Sequence, residues 1–255
     1  FHDNITVHIS KSEIFRMIHF GYQIEKEIFW NGLFNGWEKH SLQVWTELSR
    51  NSDVIFDIGA NTGIYSMISK AVNSNSKIYA FEPVKRVMDK LIINNNLNSF
   101  DCKLYEKAIS NFTGTATIFD KNTEHTYSVT VNKDISPDKS DSIEVEIETI
   151  RLDDFIKDNA INRIDLMKID VETHEVEALE GMGDFIKKFT PTMLIEVLND
   201  HVANGIEKLL EGIDYNFYNI HEINGLKKVD HLKKCEFRNF LICTKSVAKS
   251  INLEE

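Results

Sequence analysis

Val54-Ile-Phe-Asp-Ile-Gly-Ala-Asn-Thr-Gly63 is the stretch on which the fold turns. An apolar, β-branched run ends at Ile58, a glycine-bearing loop follows, and Ile64, Met67, Ile68 and Ala71 then recur at the spacing of one helical face. Strand, loop and helix in that order place the loop at the carboxyl end of a strand, where open α/β sheets bind their ligands. Working outward, 77–81 reads as a second strand, 84–97 as a helix and 102–108 as a third strand. Between 114 and 149 the period changes to strict alternation, as in 115–119 and 143–147, so this stretch reads as an inserted antiparallel excursion with 134–142 as its polar loop. The α/β rhythm then resumes with a helix at 152–158, a strand at 164–169, a helix at 174–179, a strand at 193–197 and a helix at 202–210. Residues 217–220 and 237–243 close it as an antiparallel pair. The expectation is a Rossmann-like domain over 51–255, a mostly parallel seven-stranded sheet with helices on both faces. Residues 1–50, which hold Trp30, Trp37 and Trp45, form a mainly helical N-terminal cap.

Two features of the loop point to a nucleoside. Glycine lets backbone N–H groups approach a ligand with no Cβ in the way, and Glu82 ends the second strand about 25 positions after Asp57, where an acidic residue holds ribose hydroxyls in dinucleotide folds. The full GxGxxG pattern is absent. Its middle glycine position is Asn61, a residue that tolerates positive φ, so the turn is retained while the fit to a pyrophosphate is weakened. That weighs against a nicotinamide-dependent oxidoreductase, the first rival reading; a binding module that keeps the loop without catalysis is the second.

The bulk numbers exclude other classes. A formal net charge of −11 repels nucleic-acid backbones and anionic lipid unless a basic patch intervenes. The densest basic cluster, Lys227, Lys228, Lys233 and Lys234, is interrupted by Asp230 and flanked by Glu236, and reads as a solvated face. Cys102, Cys235 and Cys243 show no metal-site spacing, which suits a reduced, cytoplasmic protein with three free thiols. No apolar run reaches the ~18 residues of a membrane span, and the first residues do not resemble a secretory signal.

These stretches together resemble the FkbM-type methyltransferases. The resemblance is carried by 54–66 (VIFDIGANTGIYS), 78–83 (IYAFEP), 107–110 (KAIS) followed by Gly114, 151–155 (RLDDF) and 164–182 (IDLMKIDVETHEVEALEGM), and it covers roughly 37–200. It implies S-adenosylmethionine as cofactor and S-adenosylhomocysteine as product. Asp57, Gly59, Asn61 and Gly63 would then lie on the methionine side, Glu82 and Pro83 at the ribose, Ala108 and Ile109 near the adenine, and Asp170 beside the cofactor. It further implies O-methylation of a sugar, polysaccharide or other small hydroxylated metabolite. His125-Thr-Tyr-Ser128 resembles a segment that approaches the active site in relatives, and Trp37 with Glu38 one that covers the cofactor. One departure stands out: the glycine that usually follows KIDVE is Thr173 here.

Asp170, Glu172 and His174 alternate after the 164–169 strand, so an extended backbone would project all three to one side, at the same sheet edge as the glycine loop. Methyl transfer to a hydroxyl needs an in-line acceptor oxygen and a group to take its proton. His174 is the first choice as base, because an unperturbed imidazole titrates near operating pH, with Asp170 as alternative base or orienting group. Two other readings stay open: that Glu172 and its neighbours merely favour a helix N-terminus, or that Asp170, Glu172 and His174 hold a divalent metal, which is possible but not predicted. Glu196 ends the apolar run Met193-Leu-Ile-Glu-Val197 and must face the ligand cleft or find a partner.

Overall fold

The computed structural model describes residues 4–36, 38–121 and 142–253. Trp37 and the 125–128 segment lie outside them. β1 (Asn4–His8) and β2 (Ile14–Ile18) pair as an antiparallel hairpin, which corrects the expectation of a mainly helical start. Each strand is five residues long, and Ile14, Phe15, Met17 and Ile18 match a helical turn as well as a strand, so periodicity alone cannot separate the two. Two helices do follow, α1 (Gln23–Asn31) and α2 (Lys39–Arg50).

β3 (Val54–Ile58), α3 (Ile64–Val72), β4 (Lys77–Phe81), α4 (Lys85–Leu97) and β5 (Lys103–Tyr105) come next. Trp45 docks α2 onto α3: its ring is fully buried, and its indole N–H donates to the Tyr65 carbonyl at 2.9 Å and to Ser69 Oγ at 2.8 Å. The third strand is shorter than expected, since the chain breaks at Glu106 and β6 (Ala108–Ser110) leaves for a second sheet. There β6, β8 (Ser142–Arg151) and β7 (Gly114–Lys121) are ordered β6-β8-β7, with β7 and β8 antiparallel in the register Gly114↔Thr149. The remaining elements are α5 (Leu152–Asp158), β9 (Leu166–Ile169), α6 (Glu175–Glu180), α7 (Phe185–Phe189), β10 (Thr192–Glu196), α8 (Asp200–Leu209), β11 (Tyr215–His221), β12 (Gly225–Val229), β13 (Asn239–Thr244) and α9 (Lys245–Ser250).

The main sheet has eight strands in the order β12-β11-β13-β10-β9-β3-β4-β5, one more than expected. The extra strand is β12, whose Lys227 and Lys228 were read as a solvated face. They are exposed, on an edge strand that lysines protect from further pairing. The five strands from β10 to β5 run parallel, while β13, β11 and β12 are antiparallel. Alternate strand residues feed two apolar layers: Ile55, Ile78, Leu166 and Leu194 on one face, Phe56, Tyr79, Met167 and Ile195 on the other. Two charged residues interrupt the first layer. Asp57 and Lys168 are register partners on adjacent strands, both about 1% exposed, beneath α3.

Candidate active site

From β3 the chain moves outward through β4 and β5 to one edge, whereas β9 and β10 lie on the other side of β3. Loops leaving β3 and β9 therefore part company, and the crevice between them is where ligands enter such sheets. The crevice has two walls of different make.

The wall at β3 and β4 is built from backbone. Gly59 and Ala60 both donate their N–H groups to the Phe81 carbonyl, each at 3.0 Å. Glu82 staples the loop, one carboxylate oxygen accepting from Asn61 N–H and the other from Val84 N–H, each at 3.0 Å. Burial pushes Glu82 up to about 7, against the effect of these bonds. Asn61 takes the positive φ expected of it, 49°. Gly59, at φ 79°, has no room for a side chain, because a Cβ would sit 1.9 Å from the Asp170 carbonyl oxygen. Ala108 and Ile109 line the same cleft with Pro83, Ile118 and Ile147, an apolar slot beside the Glu82 carboxylate.

Two residues expected on the methionine side sit behind this wall instead of lining it. Asp57 accepts from Ser66 Oγ at 2.6 Å and so anchors α3; its other oxygen is buried with no partner among the described residues, and burial pushes the group to about 6. Gly63 permits α3 to pack on α4, as a Cβ there would lie 2.3 Å from Leu91 Cδ1.

The opposite wall is built from side chains. Lys168 Nζ meets Asp170 Oδ2 at 2.9 Å and lies 5.1 Å from the centre of the Tyr65 ring. Burial works against its charge, yet the carboxylates of Asp170 and Glu38 hold Lys168 above the usual lysine value. Glu38 accepts from the Tyr65 hydroxyl at 2.9 Å and from Asn239 Nδ2 at 3.0 Å. Glu38 reaches this position from the residue before α2, whose first N–H groups, on His40 and Ser41, are bound by Glu222 from the β11–β12 turn.

The expected alternation of Asp170, Glu172 and His174 along an extended strand is corrected. β9 ends at Ile169, and Glu172 and Thr173 take φ values of 53° and 79°, so the chain turns tightly before α6. Thr173 thus occupies the left-handed position for which a glycine is the usual choice. The turn separates the trio. Asp170, Glu172 and Glu196 bring carboxylate oxygens within 4.8 Å of one another, whereas the ring of His174 has Nε2 3.0 Å from Ser110 Oγ and Nδ1 3.5 Å from Glu177 Oε2. The metal set imagined from sequence is therefore not assembled; Glu196 stands where His174 was expected. Burial pushes Glu196 up to about 9, the Asp170 charge adding to this and Lys168 opposing it, and burial first, then Asp170, pushes Glu172 to about 7. Burial holds His174 below the usual imidazole value, against the pull of Glu177 and Glu180.

Lys168 and Asn239 escaped sequence reasoning. Lys168 carried a signal, a lysine inside the apolar strand Leu166-Met-Lys-Ile169, the same anomaly that singled out Glu196.

The fold, with its glycine loop and acidic strand ends, is that of a class I methyltransferase. Residues 57–226, about two thirds of the chain, match the Methyltransferase FkbM domain, and the chain belongs to that family. It is 28% identical to the methyltransferase sdnD of Sordaria araneosa over 62% of this chain and 71% of that one. It is 24% identical to the hexuronic acid methyltransferase AglP of Haloferax volcanii, over 68% of this chain and 67% of the relative. Among solved structures, an FkbM methyltransferase from Methylobacillus flagellatus aligns with a TM-score of 0.45 and 16% identity, covering 75% of this chain and 43% of that one. No helix among the described residues is long and apolar enough to cross a membrane, and Cys102, Cys235 and Cys243 are all free.

Proposed function

We propose that the crevice binds S-adenosylmethionine and that the protein transfers its methyl group to a hydroxyl oxygen of a sugar or other small hydroxylated molecule. The observation that carries this reading is the Glu82 staple: a carboxylate that holds the glycine loop through one lone pair on each oxygen keeps a second lone pair on each for ribose hydroxyls. The apolar slot formed by Ile109, Ile118 and Ile147 suits a base, and Gly59, Ala60 and Asn61 line the same cleft where the rest of the nucleoside would lie. When bound, the cofactor supplies an electrophilic methyl group on sulfur.

The protein's own part is to orient the hydroxyl and take its proton. Asp170 suits the second task better than His174. It lies in the carboxylate cluster beside Glu38 and Lys168, while His174 is tethered to Ser110, next to the adenine-side residues Ala108 and Ile109. Glu196, protonated at neutral pH, donates a hydrogen bond to the acceptor instead of removing its proton. Lys168 holds Asp170 in place and balances the cluster. The relative that acts on a hexuronic acid keeps carbohydrate acceptors in view. Reaction inside a cytoplasmic, reduced compartment is part of this reading.

Calorimetric titration with S-adenosylhomocysteine, with NADH as control and a magnesium arm, tests the cofactor. Binding of the thioether nucleoside alone is expected; no binding by the folded protein would remove the main support. Asp170→Asn is then expected to lower turnover by about 10²–10⁴-fold, whereas His174→Ala affects it far less. The reverse order would return the base to His174.

A further inference from the structure

Behind the carboxylate wall lies a second cavity of about 350 Å³, within the roughly 300–1,000 Å³ typical of small-molecule sites. Glu38 and Glu196 line both this chamber and the cofactor cleft, so the two cavities adjoin at these side chains, where methyl transfer is proposed to occur. The far walls come from the antiparallel end of the sheet: Phe237, Arg238 and Asn239, with Glu222 and Glu236.

Asn239 carries the chemical signal. It is 6% exposed, and its Nδ2 is committed to Glu38 Oε1 and Ser41 Oγ, each at 3.0 Å. Those bonds fix the amide's orientation and leave Oδ1 buried with no hydrogen-bond partner among the described residues. An unsatisfied buried acceptor costs about 1–3 kcal/mol until a donor reaches it. A hydroxyl group meets that need; a carboxylate, which only accepts, does not. With Glu196 neutral, the charged groups among the described residues that line the chamber are the carboxylates of Glu38, Glu222 and Glu236 against the guanidinium of Arg238, a balance that disfavours an anion. Glu222 is occupied in holding the start of α2, so Glu196 and Glu236 are the carboxyl groups that face hydroxyls in the chamber, Asn239 Oδ1 is the buried acceptor that a hydroxyl has to reach, and Phe237 is a partly exposed apolar surface.

We propose that this chamber is the acceptor subsite and that it selects an uncharged polyhydroxylated ring of the pyranoside class over a uronate. The proposal rests on the methyltransferase reading for its purpose, though not for its geometry. A ring seated between Asn239 and Phe237 presents a hydroxyl at Glu196, beside Asp170.

The test is two-dimensional ¹H–¹⁵N NMR of the labelled protein, with and without saturating S-adenosylhomocysteine. The probes are methyl glucoside, mannoside, galactoside and rhamnoside, and in parallel glucuronate, galacturonate and mannuronate. Neutral glycosides are expected to shift amides of 237–239, and Phe237→Ala to weaken that binding on the order of tenfold while leaving affinity for S-adenosylhomocysteine unchanged. Uronates binding as tightly as the neutral set, or no probe moving these amides, would overturn the proposal. Because the sugar arm is also run without the nucleoside, failure to bind S-adenosylhomocysteine would sink the methyltransferase reading and leave the chamber's occupancy readable.

Discussion

The two walls of the crevice solve different problems with different material. At the β3–β4 wall every key bond joins neighbours in the local strand-loop-helix unit: Asn61 to Glu82, Gly59 to Phe81, Ser66 to Asp57. Most of its donors are backbone N–H groups, which need only the right turn. At the opposite wall, Asn239 bonds Glu38 across 201 positions and Glu222 bonds Ser41 across 181, and the donors and acceptors are long side chains. A backbone wall is rigid and indifferent to most side-chain changes. A side-chain wall depends on charge balance among Glu38, Lys168, Asp170, Glu172 and Glu196, and can be retuned residue by residue to suit a substrate.

The contrast is broken most severely by Lys168→Met. Removing one partner of a buried ion pair strands the others, so the variant should lose about 3 kcal/mol of stability. Without the ammonium, which lowers Glu38, Glu172 and Glu196, these three carboxyls titrate at higher pH in the folded state than in the wild type, and stability is then lost as pH rises. Chemical denaturation at pH 5 and pH 8 should show the larger deficit at pH 8; equal stability at both would mean that Lys168 does not balance the cluster.

Gly59→Ala attacks the other wall, where the fault is steric and independent of pH. The left-handed backbone and the close Asp170 carbonyl together predict a cost of roughly 2–4 kcal/mol. S-Adenosylhomocysteine binding should be lost by calorimetry, with a stability deficit that is the same at pH 5 and pH 8. Retained binding would show that the loop can shift away from β9.

The same division explains how much was legible in the chain. The glycine loop, Glu82, and the parallel strands from β3 to β10 could be read because their signals are short-range: an apolar run, a turn residue, an acid at a set distance. Glu196 was legible as a charge in an apolar strand, though its partners were not. Glu38 enters the site on its own left-handed backbone, at φ 57°, and is held there by Tyr65 and Asn239, which no local pattern announces. His174 was misplaced because two consecutive positive-φ residues break the strand periodicity on which its direction was argued.

Glu196→Gln sharpens the electrostatic side of the comparison. Burial raises Glu196 from an ordinary 4.5 to about 9, so the fold favours the neutral form. Its stabilising effect is complete below about 4.5 and is lost as pH rises through about 9, because the unfolded chain ionises first. Glutamine cannot ionise, so the variant's melting temperature should exceed that of the wild type by a margin that grows from pH 5 to pH 9. A constant margin would place the charge elsewhere in the cluster.

The smallest expected effect lies at the hinge between the walls. Thr173 holds φ at 79° directly after Glu172 at 53°, and it is this double turn that sends Glu172 back toward Asp170 and Glu196 while α6 departs with His174. A β-branched residue is poorly suited to that backbone, which costs an L-residue roughly 1–2 kcal/mol that glycine avoids. Glycine also gains freedom in the unfolded chain. Thr173→Gly should therefore stabilise the protein by only about 1 kcal/mol, read as a rise of roughly 2–4 °C in melting temperature. An unchanged or lower melting temperature would mean that threonine's own contacts hold the turn, and that the carboxylate wall is positioned by side-chain bonds even where its backbone is left-handed.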